Sequence, residues 1–142
     1  QQLRISLPEA CGILMGERRG INQQYLILKH ISTPQPTDIR QPYYYHRQTN
    51  GHQEILNHYH KVSNGAIQYI GEWHTHPFSL PEMSAQDRQQ MIHIKNSIKR
   101  TCPKNVIFIC CGILLFLVKS VLTMKMKWLA PTKPRILVKM TL

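Results

Sequence analysis

The chain has 142 residues, enough for one domain with its own hydrophobic core and no need of disulfide or metal staples. It is strongly basic, with 18 Lys+Arg against 7 Asp+Glu and a formal charge of +11, so it favours contact with an acidic partner. The basic residues are scattered rather than run together, so they read equally as a soluble surface and as a partner face. The apolar run Val106–Val118 is too short for a bilayer span, which needs about 20 residues. No signal peptide is visible, and Cys11, Cys102, Cys110 and Cys111 form no C-x-x-C pair. The cysteines therefore read as small buried hydrophobes in a reducing, cytoplasmic setting of bacterial type, and a zinc ribbon or thiol-redox centre has little support.

In chain order, Leu7–Gly16 is a predicted strand entered from Pro8 and closed by glycine, with Glu9 near its start. Glu17–Gly20 is a polar turn, and Ile21–Ile31 is the antiparallel partner strand. Ser32–Pro42, with three prolines, is a loop, and Tyr43–Arg47 a short edge strand. Within Gly51–Ser63, Ile55, Leu56, Tyr59 and Val62 recur at helical spacing, and Ser63-Asn64-Gly65 stops that helix. Ala66–His76 is a central strand, followed by a proline-containing loop over Pro77–Glu82. Ser84 is an N-cap with Asp87 at N3, opening a helix that runs to about Lys99. Val106–Val118 supplies one or two buried strands. Lys119–Leu142 is a basic tail with a possible strand over Met124–Leu129. This order argues for an α/β domain, one mixed sheet with helices packed on it.

His74-Thr75-His76-Pro77 carries the chemistry. Side chains alternate along a strand, so both imidazoles share a face, and Pro77 ends the strand where a sheet opens into a cleft. Asp87, eleven residues after His76, can return from the first turn of the next helix as a third ligand. Two histidines and one carboxylate with an open fourth position are the donor set of a catalytic zinc, Zn2+, which lowers the pKa of a bound water toward about 7. Attack on a carbonyl also needs a general base. Glu72, on the face of His74, and Glu9, on a separate strand, both qualify, and spacing does not choose between them. Ser84 reads either as a plain N-cap or as a donor to the developing oxyanion. Thr75 and Trp73 face the other way and read as structural. His58 and His60, two apart on a helix, do not share a face and read as surface residues. His30, His46, His52 and His93 carry no specific signal.

Glu9, His74-x-His76-Pro77, Ser84 and Asp87 together resemble the JAMM (MPN+, Mov34/PAD-1-like) metalloprotease pattern at every position, and the resemblance runs from about Leu7 to Val118. It implies a single MPN/JAB-type domain over 1–142, with a mixed, mostly antiparallel, cytidine-deaminase-like sheet flanked by helices. It selects Glu9 over Glu72 as the base. It also implies zinc held by His74, His76 and Asp87, and cleavage of peptide or isopeptide bonds after ubiquitin-like C-termini. Only eight residues precede Glu9, where the family has a helix, so that helix is expected to be truncated or absent. Thr33-Pro34, Asp38, Arg47, Gly51-His52-Gln53, Ser63, Gly65 and Tyr69–Pro77 look like the deconjugating peptidases of CBASS anti-phage operons. In those systems an E1/E2-like enzyme joins a cGAS-like nucleotidyltransferase (CD-NTase) C-terminus to target proteins, and the peptidase removes it. The expected partners are thus a protein with an extended C-terminal tail and an E1/E2-like enzyme, with no membrane and, despite the charge, no nucleic acid. The alternative is a non-catalytic MPN scaffold, although such domains usually lack the metal ligands. A nucleic-acid zinc deaminase fails because its P-C-x-x-C pair is missing.

Overall fold

The computed structural model describes residues 7–21, 23, 25–78, 82–98, 107–116, 119–128 and 135–138. Cys11–Arg19 (β1) and Tyr25–Ile31 (β2) form an antiparallel pair. The predicted turn at Glu17–Gly20 begins later than expected. Glu17, Arg18 and Arg19 stay in the ladder opposite Ile27, Leu26 and Tyr25, and Glu17 is ion-paired with Arg19 and with Lys29. Ile39–Gln41 (β3), inside the predicted loop 32–42, pairs with Tyr44–His46 (β4), which lies in the predicted edge strand Tyr43–Arg47, as a separate two-stranded hairpin. His52–Val62 (α1) follows, and its C-terminal turn is closed by Asn64 and Gly65 in the left-handed region, at φ of 51° and 82°.

Gln68–His76 (β5) lies at the heart of the sheet, antiparallel to β1. Ala85–Ile98 (α2) comes next, then Ile107–Phe116 (β6) as one continuous strand parallel to β5. Two stretches of the predicted basic tail are strands. Lys119–Trp128 (β7) pairs antiparallel with β6, and Arg135–Val138 (β8) runs parallel to β2 at the far edge. The six-stranded sheet thus has the order β7-β6-β5-β1-β2-β8. Its mixture of parallel and antiparallel ladders matches the expected sheet. Cys102, positions 79–81 of the predicted Pro77–Glu82 loop, and positions 1–6, where a truncated helix is expected, lie outside the described residues.

Two apolar clusters sandwich β1 and β5. On one face Ile13, Met15 and Ile67 take Ile55, Leu56 and Tyr59 of α1. On the other, Leu14, Leu26 and Ile70 pack with Leu28 and Trp73. Each of these fully buried aliphatic side chains contributes about 1.5–3 kcal/mol of burial. Val62 does not join the α1 stripe and is 62% exposed. The strict alternation of β5 is broken once: the register slips opposite Leu14/Met15, leaving Ile70 as the extra residue of a bulge. Tyr69 and Glu72 consequently share the α1 face, and from Glu72 onward the alternation resumes through His74 to His76.

Candidate metal centre

His74 and His76 occupy the last turn of the β5 pleat and point to the same side, with His74 fully buried and His76 nearly so. Their Nε2 atoms are 2.8 Å apart. Asp87 Oδ2 is 3.5 Å from His74 Nε2 and 3.3 Å from His76 Nε2. Tetrahedral ligands at about 2.0 Å from a zinc ion are about 3.3 Å from one another, so the three donor atoms already have the spacing of a shared cation. Among the described residues this trio is the group of buried His and Asp side chains able to hold a metal.

Local sequence explains how Asp87 arrives there. Ser84 caps α2 reciprocally: the Asp87 amide donates to Ser84 Oγ at 3.1 Å, and the Ser84 amide donates to Asp87 Oδ2 at 2.7 Å. The capping box therefore orients the carboxylate as well as starting the helix. Burial pushes the Asp87 carboxyl up, but hydrogen bonds from His74, His76 and Ser84 outweigh it and hold the group well below the usual carboxylate range. An ionised ligand is what a cation requires.

Glu9 reaches the same place from outside any strand, two residues before β1. The β1–β5 register pairs Cys11 with His74. The pairing continues as Thr75 N–H donates to the Ala10 carbonyl and Ala10 N–H to Thr75 Oγ1, which sets Glu9 level with His76. Glu9, His76, Ser84 and Asp87 line one cavity of about 230 Å³, walled by Tyr43, Tyr44 and Tyr45. Burial raises the Glu9 carboxyl above its ordinary value, with His76 and His74 opposing and Asp87 reinforcing the shift. A carboxylate of raised pKa is a stronger proton acceptor.

Glu72 is differently employed. Its Oε1 takes a 2.6 Å ion pair from Arg47 and a 3.2 Å hydrogen bond from the Tyr69 hydroxyl, and it lines a different cavity, of about 600 Å³, between α1 and α2. Thr75 and Trp73 serve the scaffold, since the Trp73 indole N–H donates to the Ser32 carbonyl at 3.0 Å. His58 and His60 are exposed on α1, and His30 stacks on Tyr59 at 3.8 Å. The Cys11 thiol is buried and pushed up to about 12, chiefly by that burial, so it is no nucleophile.

Sequence reasoning missed two features. Tyr45 is buried, with its ring stacked 5.2 Å from that of His74. His52 is 1% exposed, with both ring nitrogens hydrogen-bonded. Neither lies in a periodic pattern that would have marked it. The glycine of Gly51-His52-Gln53 does announce a helix start, at which His52 turns inward.

Residues 1–123 match Prok-JAB, the prokaryotic homologs of the JAB domain. A CD-NTase/cGAS isopeptidase of Vibrio cholerae is 44% identical over 88 residues, 62% of this chain and 54% of that protein. One of Escherichia coli is 41% identical over 87 residues, 61% of this chain and 54% of that protein. The chain thus spans about half the length of the curated relatives it matches. The fold is similar to the solution structure of a Desulfitobacterium hafniense protein, with a TM-score of 0.53 at 19% identity, covering 98% of this chain and 84% of that one. With a family match over most of its length, and a sheet and helices of the corresponding type, the chain belongs to the prokaryotic homologs of the JAB domain.

Proposed function

We propose that this chain is a JAMM-type zinc isopeptidase that removes a ubiquitin-like or CD-NTase C-terminal conjugate from target proteins, in a bacterial anti-phage system of CBASS type. The observation that carries this reading is the convergence of His74, His76 and Asp87, at zinc-ligand spacing, beside a cavity lined by His76 and Asp87 together with Glu9 and Ser84. Membership of the JAB family, and relatives named CD-NTase/cGAS isopeptidases, support the substrate class. A scaffold without chemistry would have no need of four such residues lining one cavity with His74 buried behind them.

His74 Nε2, His76 Nε2 and Asp87 would hold the zinc, which when bound supplies Lewis acidity to a water and to the scissile carbonyl. Glu9 accepts a proton from the attacking water and returns it to the leaving amine nitrogen. The new C–O bond replaces the C–N bond, and the products are a carboxylate and an amine. Ser84 Oγ accepts from the Asp87 amide and its hydroxyl bonds the Asp87 carboxylate, so as oxyanion donor that hydroxyl would turn from the carboxylate toward the cavity. The Tyr45 ring covers His74 and fixes its plane. Among the described residues no strand pairs with the outer edge of β4, so an extended substrate tail can add there beside the cavity.

The test is a conjugate made by a cognate E1/E2-like enzyme, incubated with and without a zinc chelator. Glu9→Ala is expected to retain one zinc per chain and lose cleavage. Cleavage at the wild-type rate by that variant would overturn the assignment of the base.

A further inference from the structure

Ser32, His52 and Asp38 form a hydrogen-bonded row beneath the β3–β4 hairpin. Ser32 Oγ lies 2.6 Å from His52 Nδ1, and His52 Nε2 lies 2.9 Å from Asp38 Oδ2. The roles follow from the inventory of donors. The Asp38 carboxylate only accepts, so Nε2 carries the ring proton. In the neutral ring Nδ1 then accepts, so Ser32 Oγ, which accepts the Ile13 amide at 2.8 Å, gives its own proton to Nδ1. The residue types are those of a nucleophilic triad, but this row is not one. Ser32 and His52 are each 1% exposed and the Asp38 side chain is fully buried, so no substrate reaches the hydroxyl.

What the row joins is more informative. On the sheet side, Ser32 is bound twice to Ile13 of β1, through Oγ and through its amide at 3.0 Å, and its carbonyl accepts the Trp73 indole of β5. Gly12 permits this approach, since a Cβ there would lie 2.1 Å from the Ser32 carbonyl oxygen. On the hairpin side, Asp38 Oδ1 accepts the Gln48 amide at 2.8 Å and Oδ2 the Gln35 amide at 2.7 Å. Asp38 immediately precedes β3 and Gln48 closely follows β4, so one carboxylate closes the hairpin at its base, and one imidazole ties that carboxylate to the sheet.

The hairpin bears directly on the site. Arg40 Nε donates to the Glu9 carbonyl at 2.7 Å, and the Glu9 amide donates to the Gln41 carbonyl at 2.9 Å. Tyr45 stacks on His74, and Arg47 holds Glu72. We propose that His52 is a positioning residue of the hydrolase: through Asp38 it fixes the β3–β4 hairpin on the sheet, and the hairpin fixes Glu9 and the His74 ring. This rests on the reading of Glu9 as the base.

Two substitutions separate positioning from general support of the fold. In His52→Gln the side-chain amide can stand where Nε2 stood and still donate to Asp38. In His52→Asn the amide oxygen stands where Nδ1 stood and still accepts from Ser32, but the link to Asp38 is broken. Each variant loses one buried hydrogen bond, yet only the second frees the hairpin. His52→Asn is expected to lower kcat about 10- to 100-fold, the scale of a small misplacement of a reacting group. KM should stay within about threefold and zinc stoichiometry should be unchanged. Amide exchange should quicken over residues 38–48 and at Glu9, but not at Leu14 or Ile70. His52→Gln should recover most of the rate. If His52→Asn fails to fold, Asp38→Asn is measured in its place, with the same expectations.

Equal loss in the two His52 variants, or wild-type kcat and exchange in His52→Asn, would overturn the proposal. A Glu9→Gln control keeps the two readings apart. If it is active the base assignment fails, whereas the exchange pattern judges the clasp by itself.

Discussion

Ser84 is the residue whose two roles can be weighed against each other. Replacing it with alanine removes the cap acceptor for the Asp87 amide, a 3.1 Å bond at an exposed helix start. Loss of such a cap costs about 1 kcal/mol, which for a chain of this size lowers Tm by about 2–4 °C. Loss of an oxyanion donor costs far more in rate, about 100- to 1,000-fold in kcat. The two effects come apart in Ser84→Gly. Glycine is tolerated at an N-cap at a cost of only a few tenths of a kcal/mol, but it offers no hydroxyl. Thermal unfolding and steady-state cleavage of one conjugate, run on wild type, Ser84→Ala and Ser84→Gly, decide the matter. We expect the glycine variant to recover most of the lost Tm and none of the lost kcat, with zinc content unchanged in both. If kcat follows Tm across the three proteins, or if Ser84→Ala cleaves within threefold of wild type, Ser84 is a helix cap and the oxyanion argument is wrong.

Other outcomes follow from the same geometry. Asp38 is held below the ordinary carboxylate range: burial opposes ionisation, but the Gln35 amide, the His52 ring and the Gln48 amide outweigh it. The unfolded chain therefore takes up this proton first, at a pKa of about 3.9, and the stability it contributes is whole above about pH 5, begins to fall as the pH drops through about 4, and is gone only below the lowered folded value. Denaturation midpoints of Asp38→Asn should lie below wild type at neutral pH and converge with it in acid; a gap that stays constant down to pH 3 would contradict the linkage. Leu14→Ala, in the cluster with Leu26 and Ile70, should cost about 2–5 kcal/mol by urea denaturation, and a loss under 1 kcal/mol would mean that cluster is poorly packed. Tyr43 and Phe78 are exposed, with ring centroids 6.1 Å apart, and Tyr43 lines the candidate site. Removing both rings should raise KM about 2- to 10-fold and leave kcat near wild type, whereas an unchanged KM would remove them from the substrate path.

What the sequence by itself determined was whatever rests on local spacing. His74 and His76 share a face because side chains alternate along a strand, and Ser84 and Asp87 meet because a helix start needs its first amides capped. Both relations hold within a few residues, so they are legible before any folding is considered, as are α1, β5 and α2. Choosing between Glu9 and Glu72 was another matter. On residues alone the two were equivalent, and only the family resemblance separated them. The tertiary structure provides the physical difference: the β1–β5 register carries Glu9 to the level of His76, while Arg47 and Tyr69 occupy Glu72. The edge strand at β4 and a strand within β7 were legible, but the partners of β7 and β8 in the sheet, the β3 strand inside a proline-rich loop, and the row from Ser32 through His52 to Asp38 were not. Each depends on pairing between segments distant in the chain, which leaves no periodic trace. A buried histidine reads in sequence like any exposed one until its two partners are brought to it. The local code thus set which atoms could bind a metal, and the long-range register of the sheet decided which carboxylate faces them and what holds it there.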